Sequence, residues 1–162
     1  MMSAELQKAI DALAIEDVYV RTLVARCEDG FDPKYQADFD ALELQSMHQV
    51  RESAFVHAGA DQRFLRVFID LGVRWVVPGD NDEEPAVRAI IEAGFVAEYR
   101  LTTELEQTSA DEFARKNASY HVWPYWRELL AAQCARMHLP RLILPAVQLA
   151  HNRHAEPVGQ SS

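Results

Sequence analysis

The sequence has 162 residues, a length typical of one domain, which is predicted to occupy residues 1–150. Apolar residues make up 49% of the chain and charged residues 25%, as expected of a soluble globular protein. The net charge of −9 disfavours nucleic acid and anionic membrane surfaces as partners, because both attract clustered lysine and arginine. No segment reaches the roughly 18 to 20 apolar residues that span a bilayer, so membrane insertion is not expected.

The two cysteines, Cys27 and Cys134, are far apart in the sequence and lack the spacing of a metal site. Isolated cysteines of this kind indicate buried thiols in a reducing compartment. Charged residues interrupt the N-terminal segment, which therefore does not resemble a signal peptide. These features predict a cytoplasmic protein.

Four strands are predicted after a short N-terminal amphipathic helix. In that helix, which covers about residues 3–13, Leu6, Ile10 and Leu13 share one face and Ser3 is available as the N-cap. The strands are predicted at about 16–27, 42–57, 62–77 and 86–101, separated by a polar loop (28–41) and by turns at 58–61 and 78–85. Consecutive strands with short connections predict an antiparallel sheet.

The third and fourth strands have the clearest two-residue periodicity. Such alternation places one set of side chains against a core and the other toward solvent. In the third strand the apolar set is Leu65, Val67, Ile69, Leu71, Val73 and Trp75. In the fourth strand it is Val87, Ala89, Ile91, Ala93, Phe95, Ala97, Tyr99 and Leu101.

Two helices are predicted after the sheet. Ser109 and Glu112 form a capping-box pattern, which predicts a short helix beginning there. A second helix is predicted to end near His138, with Pro124 in its first turn, where a missing amide donor costs little. Its apolar stripe consists of Trp123, Trp126, Leu130, Cys134 and Met137. The polar residues 151–162 are predicted to form a flexible tail.

No motif for nucleotide binding, metal binding or hydrolysis occurs in the sequence, so we predict neither an enzyme nor a cofactor. His151 and His154 have metal-like spacing without a nearby carboxylate or thiolate, which favours solvated histidines. Cys134 lies on the apolar stripe, which favours a core thiol over a nucleophile. Arg127 and Glu128 are adjacent on a helix and do not face each other, which favours surface charges.

An aromatic cluster lies within seven residues of the second helix and comprises Tyr120, Trp123, Tyr125 and Trp126. One helix face cannot bury all four rings inside a small domain, so part of the cluster must meet a loop, another subunit or a ligand. The pattern alone does not decide among these three.

The segment from Tyr120 to Val147 resembles the SecB family of export chaperones. Residues 122–128 (VWPYWRE) are similar to the family's aromatic-Pro-Tyr-x-Arg-Glu helix signature. Residues 139–145 (LPRLILP) are similar to its Phe-Pro-x-Leu-x-Leu segment. Both occur in the family's order and separation, and the resemblance extends over roughly residues 15–148.

The resemblance implies a SecB-like α+β fold, in which helices pack on one face of a four-stranded antiparallel sheet. It also implies a homotetramer, a dimer of dimers, that holds unfolded client proteins in apolar grooves without using a nucleotide. Leu42 and Leu44 match groove positions of the family. The further residues predicted to line the groove are Trp123, Trp126, Leu142 and Leu144.

One departure from the family concerns the SecA translocase motor. Members that deliver clients to SecA dock through acidic side chains on the outer sheet face. Neutral or basic residues stand at the corresponding positions here and should weaken docking on that motor: Thr22, Arg26, Arg88 and Ile90.

Several functions therefore stay open. The main prediction is a holdase that keeps preproteins competent for export. The alternative within the same class is a chaperone dedicated to one client, such as the antitoxin of a toxin–antitoxin system. From other classes, a small-ligand-binding α+β domain and a structural or adaptor subunit both remain possible interpretations of the aromatic cluster.

Overall fold

A computed structural model describes residues 1–36, 38–80 and 82–144 of the chain. The predicted tail, residues 151–162, lies outside the described residues. The elements in chain order are α1 (Ala4–Ala12), β1 (Leu13–Cys27), a 3-10 turn (Pro33–Tyr35), β2 (Glu43–Ala58), β3 (Gln62–Val77), β4 (Ala86–Leu101), α2 (Gln107–Lys116) and α3 (Ala118–Arg136).

The four strands form one antiparallel sheet in the order β1-β4-β3-β2, so β1 and β2 are its two edges. The hairpin predicted between the second and third strands is present, and Gly59 supplies the positive φ of 72° that its turn requires. β1 pairs with β4 along its whole length, from Leu13 opposite Leu101 to Cys27 opposite Ala89. The predicted antiparallel sheet is confirmed.

The two-residue periodicity identifies which face of the sheet is buried. The apolar set of β3, from Leu65 to Trp75, is at most 4% exposed, and that of β4, from Ala89 to Tyr99, at most 3%. The prediction for Val87 is wrong, because a register shift places it opposite Val76 and off the buried face, whereas Leu101 is half-buried at the far end of the buried face. We call this side of the sheet the inner face and the opposite side the outer face.

α3 covers the inner face. The Trp126 ring meets the Phe95 ring edge-on, with centroids 6.4 Å apart. Nearer the start of α3, the Tyr99 hydroxyl lies 2.8 Å from Nδ1 of His121. The predicted apolar stripe is confirmed as core, because four of its members are at most 7% exposed and Met137 packs beside them: Trp123, Trp126, Leu130 and Cys134.

The predicted start of α3 is wrong. The helix begins at Ala118, so Pro124 lies inside it rather than in its first turn. An interior proline removes one helical hydrogen bond and disfavours the helix by about 3 kcal/mol. Ala118, Ser119 and Val122 are all buried, and their packing outweighs the proline signal.

The predicted capping box is also wrong, and its two residues have another role. α2 begins at Gln107, two residues before Ser109. The Ser109 hydroxyl donates to the carboxylate of Glu5 in α1, and Glu112 accepts a hydrogen bond of 2.5 Å from the hydroxyl of Ser3. The bond from Ser109 is the main reason that the pKa of the Glu5 carboxyl lies below its usual range. For Glu112 the pKa is lowered first by its hydrogen bond with Lys116 and then by the bond from Ser3. The predicted N-cap role of Ser3 is confirmed, since its oxygen accepts from the Leu6 amide at 3.1 Å.

We expect protonation of His121 to destabilise the fold. Burial lowers the pKa of its imidazole below the usual 6.5. The contribution of the neutral imidazole to the free energy of unfolding is therefore fully present above pH 6.5 and is lost as the pH falls through the lower pKa of the folded protein. His121→Gln keeps an acceptor for Tyr99 and should flatten the dependence of melting temperature on pH below about 6.5. His57→Gln, at an exposed position, is the control. Equal flattening in both variants would contradict this assignment.

Candidate functional site

The path of α3 locates the second resemblance segment at one end of the sheet. From His121 to Trp126 the helix moves along β4 from Tyr99 toward Phe95, that is, toward the start of that strand. The chain leaving α3 therefore reaches the end where β4 and β2 begin. The Leu142 amide bonds to Cys134 there, and burial raises the pKa of that thiol to about 11.

An apolar surface lies at this end of the inner face, and we call it the end surface. Its residues are half-buried or exposed, with Leu44 46% and Ile143 86% exposed. Two of its residues lie at the start of β2 and three in the segment after α3, and the resemblance predicts a groove role for four of them. The residues that define it are Leu42, Leu44, Leu142, Ile143 and Leu144.

The crossover segment, residues 28–42, borders the end surface. It connects β1 to β2, which are opposite edges of the sheet, so it crosses the whole width of that end. Phe31 and Phe39 pack against the core along the way, and Pro33 is buried in a 3-10 turn capped by Asp32. The crossover is therefore anchored by apolar side chains beside the end surface.

The two tryptophans that were predicted to line a groove are buried in the core. Trp123 is 7% and Trp126 2% exposed, so they support the core rather than line an open furrow in the isolated chain. Of the other rings in the cluster, Tyr120 is half-buried and Tyr125 is 51% exposed. The expectation that one helix face would not bury all four rings is confirmed.

Carboxylates are concentrated at the same end of the sheet. Residues 28–43 and 78–85 contain ten acidic residues and one basic residue, Lys34. Of those in described positions, nine have exposed side chains and Glu28 is half-buried. This charge repels other acidic molecules and helps an exposed apolar surface to stay in solution.

A second apolar surface follows the β1 edge, and we call it the β1 band. The register places Ile15, Val20 and Leu23 on the inner face, yet they are 49%, 39% and 44% exposed. Val18 between them is buried. The alternation along β1 is interrupted by two register shifts, one between Ile15 and Asp17 and one between Val20 and Thr22. Because the two-residue periodicity is broken, the sequence did not predict this band.

The positions compared with the SecA-docking surface lie mostly on the outer face. Thr22 stands opposite Gly94, and Arg26 stands opposite Ile90 on the adjacent strand. Arg88 is half-buried at the register shift, between Ala89, which pairs with Trp75, and Val87, which pairs with Val76. The outer face therefore presents a threonine, an arginine and an isoleucine at these places.

Side-chain pairs typical of catalysis are few in the described residues. His48 Nε2 lies 2.7 Å from the Ser119 hydroxyl, a pair that sequence spacing could not have shown. Ser119 is buried, so the hydrogen bond fastens α3 to β2 rather than presenting a nucleophile. Within residues 1–36, 38–80 and 82–144 no group of three or more His, Cys, Asp or Glu side chains could hold a metal ion, and no helix is long and apolar enough to cross a membrane. His151 and His154 lie outside the described residues.

The fold matches a known chaperone structure. The SecB-like chaperone Rv1957 of Mycobacterium tuberculosis, solved in complex with a ChAD peptide from the HigA1 antitoxin Rv1956, aligns with a TM-score of 0.66. The alignment covers 90% of this chain and 98% of that chain, at 17% sequence identity. No protein-family model and no curated protein sequence matches the chain. The chain therefore has the SecB-like fold, as its sequence predicted.

Truncating Trp126 should destabilise the protein. Because the ring is buried against Phe95, we expect Trp126→Ala to lower the free energy of unfolding by about 3 to 5 kcal/mol. Tyr125→Ala removes the exposed neighbour and should cost less than about 0.5 kcal/mol. Chemical denaturation measures both values. A similar cost for the two variants would show that Trp126 is not a core residue.

Proposed function

We propose that this protein is a SecB-like holdase chaperone that binds unfolded segments of client proteins. The observation that carries the proposal is the fold shared with a chaperone that was solved with a peptide bound. The unpartnered end surface supports it, because apolar side chains exposed on a folded domain often mark a binding surface. No enzymatic step is part of the proposal.

The end surface is our proposed client site. Leu42, Leu44, Leu142 and Leu144 offer apolar contact area, and each Å² removed from water contributes roughly 25 cal/mol. Such burial does not depend on one particular sequence, which suits capture of many unfolded segments. Trp123 and Trp126 are buried in the core, where Trp126 meets Phe95 and fixes α3 on the sheet.

Capture of this kind is passive. A holdase that binds only the unfolded form of its client lowers the free concentration of that form by mass action, without a nucleotide. We place the protein in the cytoplasm. Its two cysteines are both free thiols, which supports a reducing compartment.

A dedicated client is the second candidate. The similar structure holds a peptide from an antitoxin, which favours a chaperone that protects one partner. Thr22, Arg26 and Ile90 on the outer face support it too, since acidic residues for SecA docking are replaced there. Binding of purified SecA at micromolar concentration would favour the export role instead, and a toxin–antitoxin pair beside the gene would favour the dedicated one.

Client capture should depend on Leu44. Leu44→Asp places a charge in the end surface, and we expect it to abolish suppression of aggregation of a chemically unfolded client at equimolar ratio. Val24→Asp is a matched control, because Val24 is 40% exposed but lies on the outer face. Light scattering during dilution of the client from denaturant measures the effect. If Leu44→Asp suppressed aggregation as well as the unmutated protein, the end surface would not be the client site.

We also propose that the protein forms a homotetramer, a dimer of dimers. The β1 band supports this, because an edge strand with exposed apolar residues on its inner face is suited to pairing with another copy. Leu23→Lys should then dissociate the assembly, whereas Val24→Lys, next to it on the other face, should not. Multi-angle light scattering measures the mass. A monomer before mutation, or equal dissociation in both variants, would contradict the proposal.

A further inference from the structure

The segment after α3 continues beyond the end surface with further apolar residues. Leu142 and Leu144 pack against the core, whereas Ile143 between them is 86% exposed. This alternation is typical of an extended segment that lies along a surface. Residues 145–150 (PAVQLA) follow directly, outside the described residues, and include a valine and a leucine. Because this stretch is tethered beside the end surface, it meets that surface at a high effective concentration.

The charge of the stretch suits its surroundings. Ten acidic residues and one lysine lie in residues 28–43 and 78–85, at the same end of the sheet. Residues 145–155, by contrast, contain no carboxylate and one arginine, Arg153, in a chain whose net charge is −9. The carboxylates at this end therefore do not repel the apolar stretch, and they attract the arginine that follows it.

The length of the stretch is sufficient to reach any strand at this end. Neighbouring strands lie about 4.8 Å apart, so a sheet of four strands is about 15 Å wide. From Leu144 to Leu149 an extended chain spans up to about 17 Å. Leu44, which is 46% exposed at the start of the β2 edge, is within that distance even of a segment that begins at the opposite edge.

We propose that residues 145–150 occupy the end surface while no client is bound, and that a client must displace them. Val147 and Leu149 then cover the exposed side chain of Leu44, which removes apolar area of both partners from water. The inference rests on the proposed function, in which the end surface is the client site. A tethered competitor weakens the apparent affinity for every client by the fraction of time that it leaves the surface free. The end surface is thereby kept for client segments that bury a larger apolar area than this stretch does.

Client affinity tests the displacement. The probe is fluorescein-labelled lysozyme that has been reduced and carboxymethylated so that it stays unfolded, and it is titrated with the full-length protein while fluorescence anisotropy is measured. We expect Val147→Ser with Leu149→Ser to tighten binding about fivefold, as for a surface that is free about one fifth of the time in the unmutated protein. Val158→Ser removes an apolar side chain farther along the same segment and, as the matched control, should leave the affinity unchanged.

The methyl resonances of Leu44 test the occupancy without a client. In the NMR spectrum they should shift when Val147 and Leu149 are both replaced by serine, and they should keep their positions in Val158→Ser. Because the covering segment belongs to the same chain, the shift should be equal at about 20 and about 200 μM protein. A shift that appears only at the higher concentration would assign the covering segment to another molecule and overturn the proposal.

Failure of this inference and failure of the proposed function give different results. If Leu44→Asp abolishes binding of the unfolded probe but the double serine variant leaves its affinity unchanged, the end surface stays the client site and the inference is overturned. Weaker binding in the double serine variant also overturns it, because residues 145–150 would then be part of the client site instead of its competitor. If Leu44→Asp binds the probe as tightly as the unmutated protein, the proposed client site is wrong, and the inference fails with it.

Discussion

The packing of α3 across the centre of the sheet is the interaction on which the rest of the architecture depends. Trp126 meets Phe95 edge-on, and His48 and Tyr99 fasten the first turns of the helix to two strands. One helix of 19 residues cannot cover four strands of this length. Together with α2, which packs on Tyr99 and beside β2, it buries β3 and β4 and leaves the inner side of both edges, β1 and β2, partly uncovered.

The helices cover the inner face incompletely, and this leaves both proposed surfaces open, the one for client binding and the one for self-association. The end surface lies where β2 begins, and the β1 band lies along the other edge. Each presents leucine or isoleucine side chains that a monomer would bury if its helix layer were wider. A fold whose helices leave part of the inner face uncovered is suited to binding polypeptide, because the missing cover can be supplied by another chain.

The sequence predicted the sheet well and the helix starts poorly. Alternation in β3 and β4 reports burial directly, so the inner face from Leu65 to Trp75 could be named before the structure. Local patterns predicted the wrong helix starts where contacts between distant residues determine the structure. Pro124 lies inside α3, and Ser109 bonds to Glu5, 104 residues away, instead of capping α2. The resemblance singled out Leu42, Leu44, Leu142 and Leu144 for a groove, but nothing local showed that the two tryptophans added to them are buried. The β1 band was missed because two bulges interrupt its periodicity.

The order of the strands also constrains how the chain is completed during synthesis. β1 pairs only with β4, so its pairing cannot be completed before residue 101 has been synthesised. The hydrogen bond from Ser3, the N-cap of α1, to Glu112 forms later still. Contacts this distant in sequence slow folding, because a long loop must close before they form. The hairpin of β2 and β3 can form first and offers β4 a template. Until β4 arrives, the nascent N-terminal strand is itself an unfolded segment with exposed apolar residues, the state that the mature protein is proposed to bind in others.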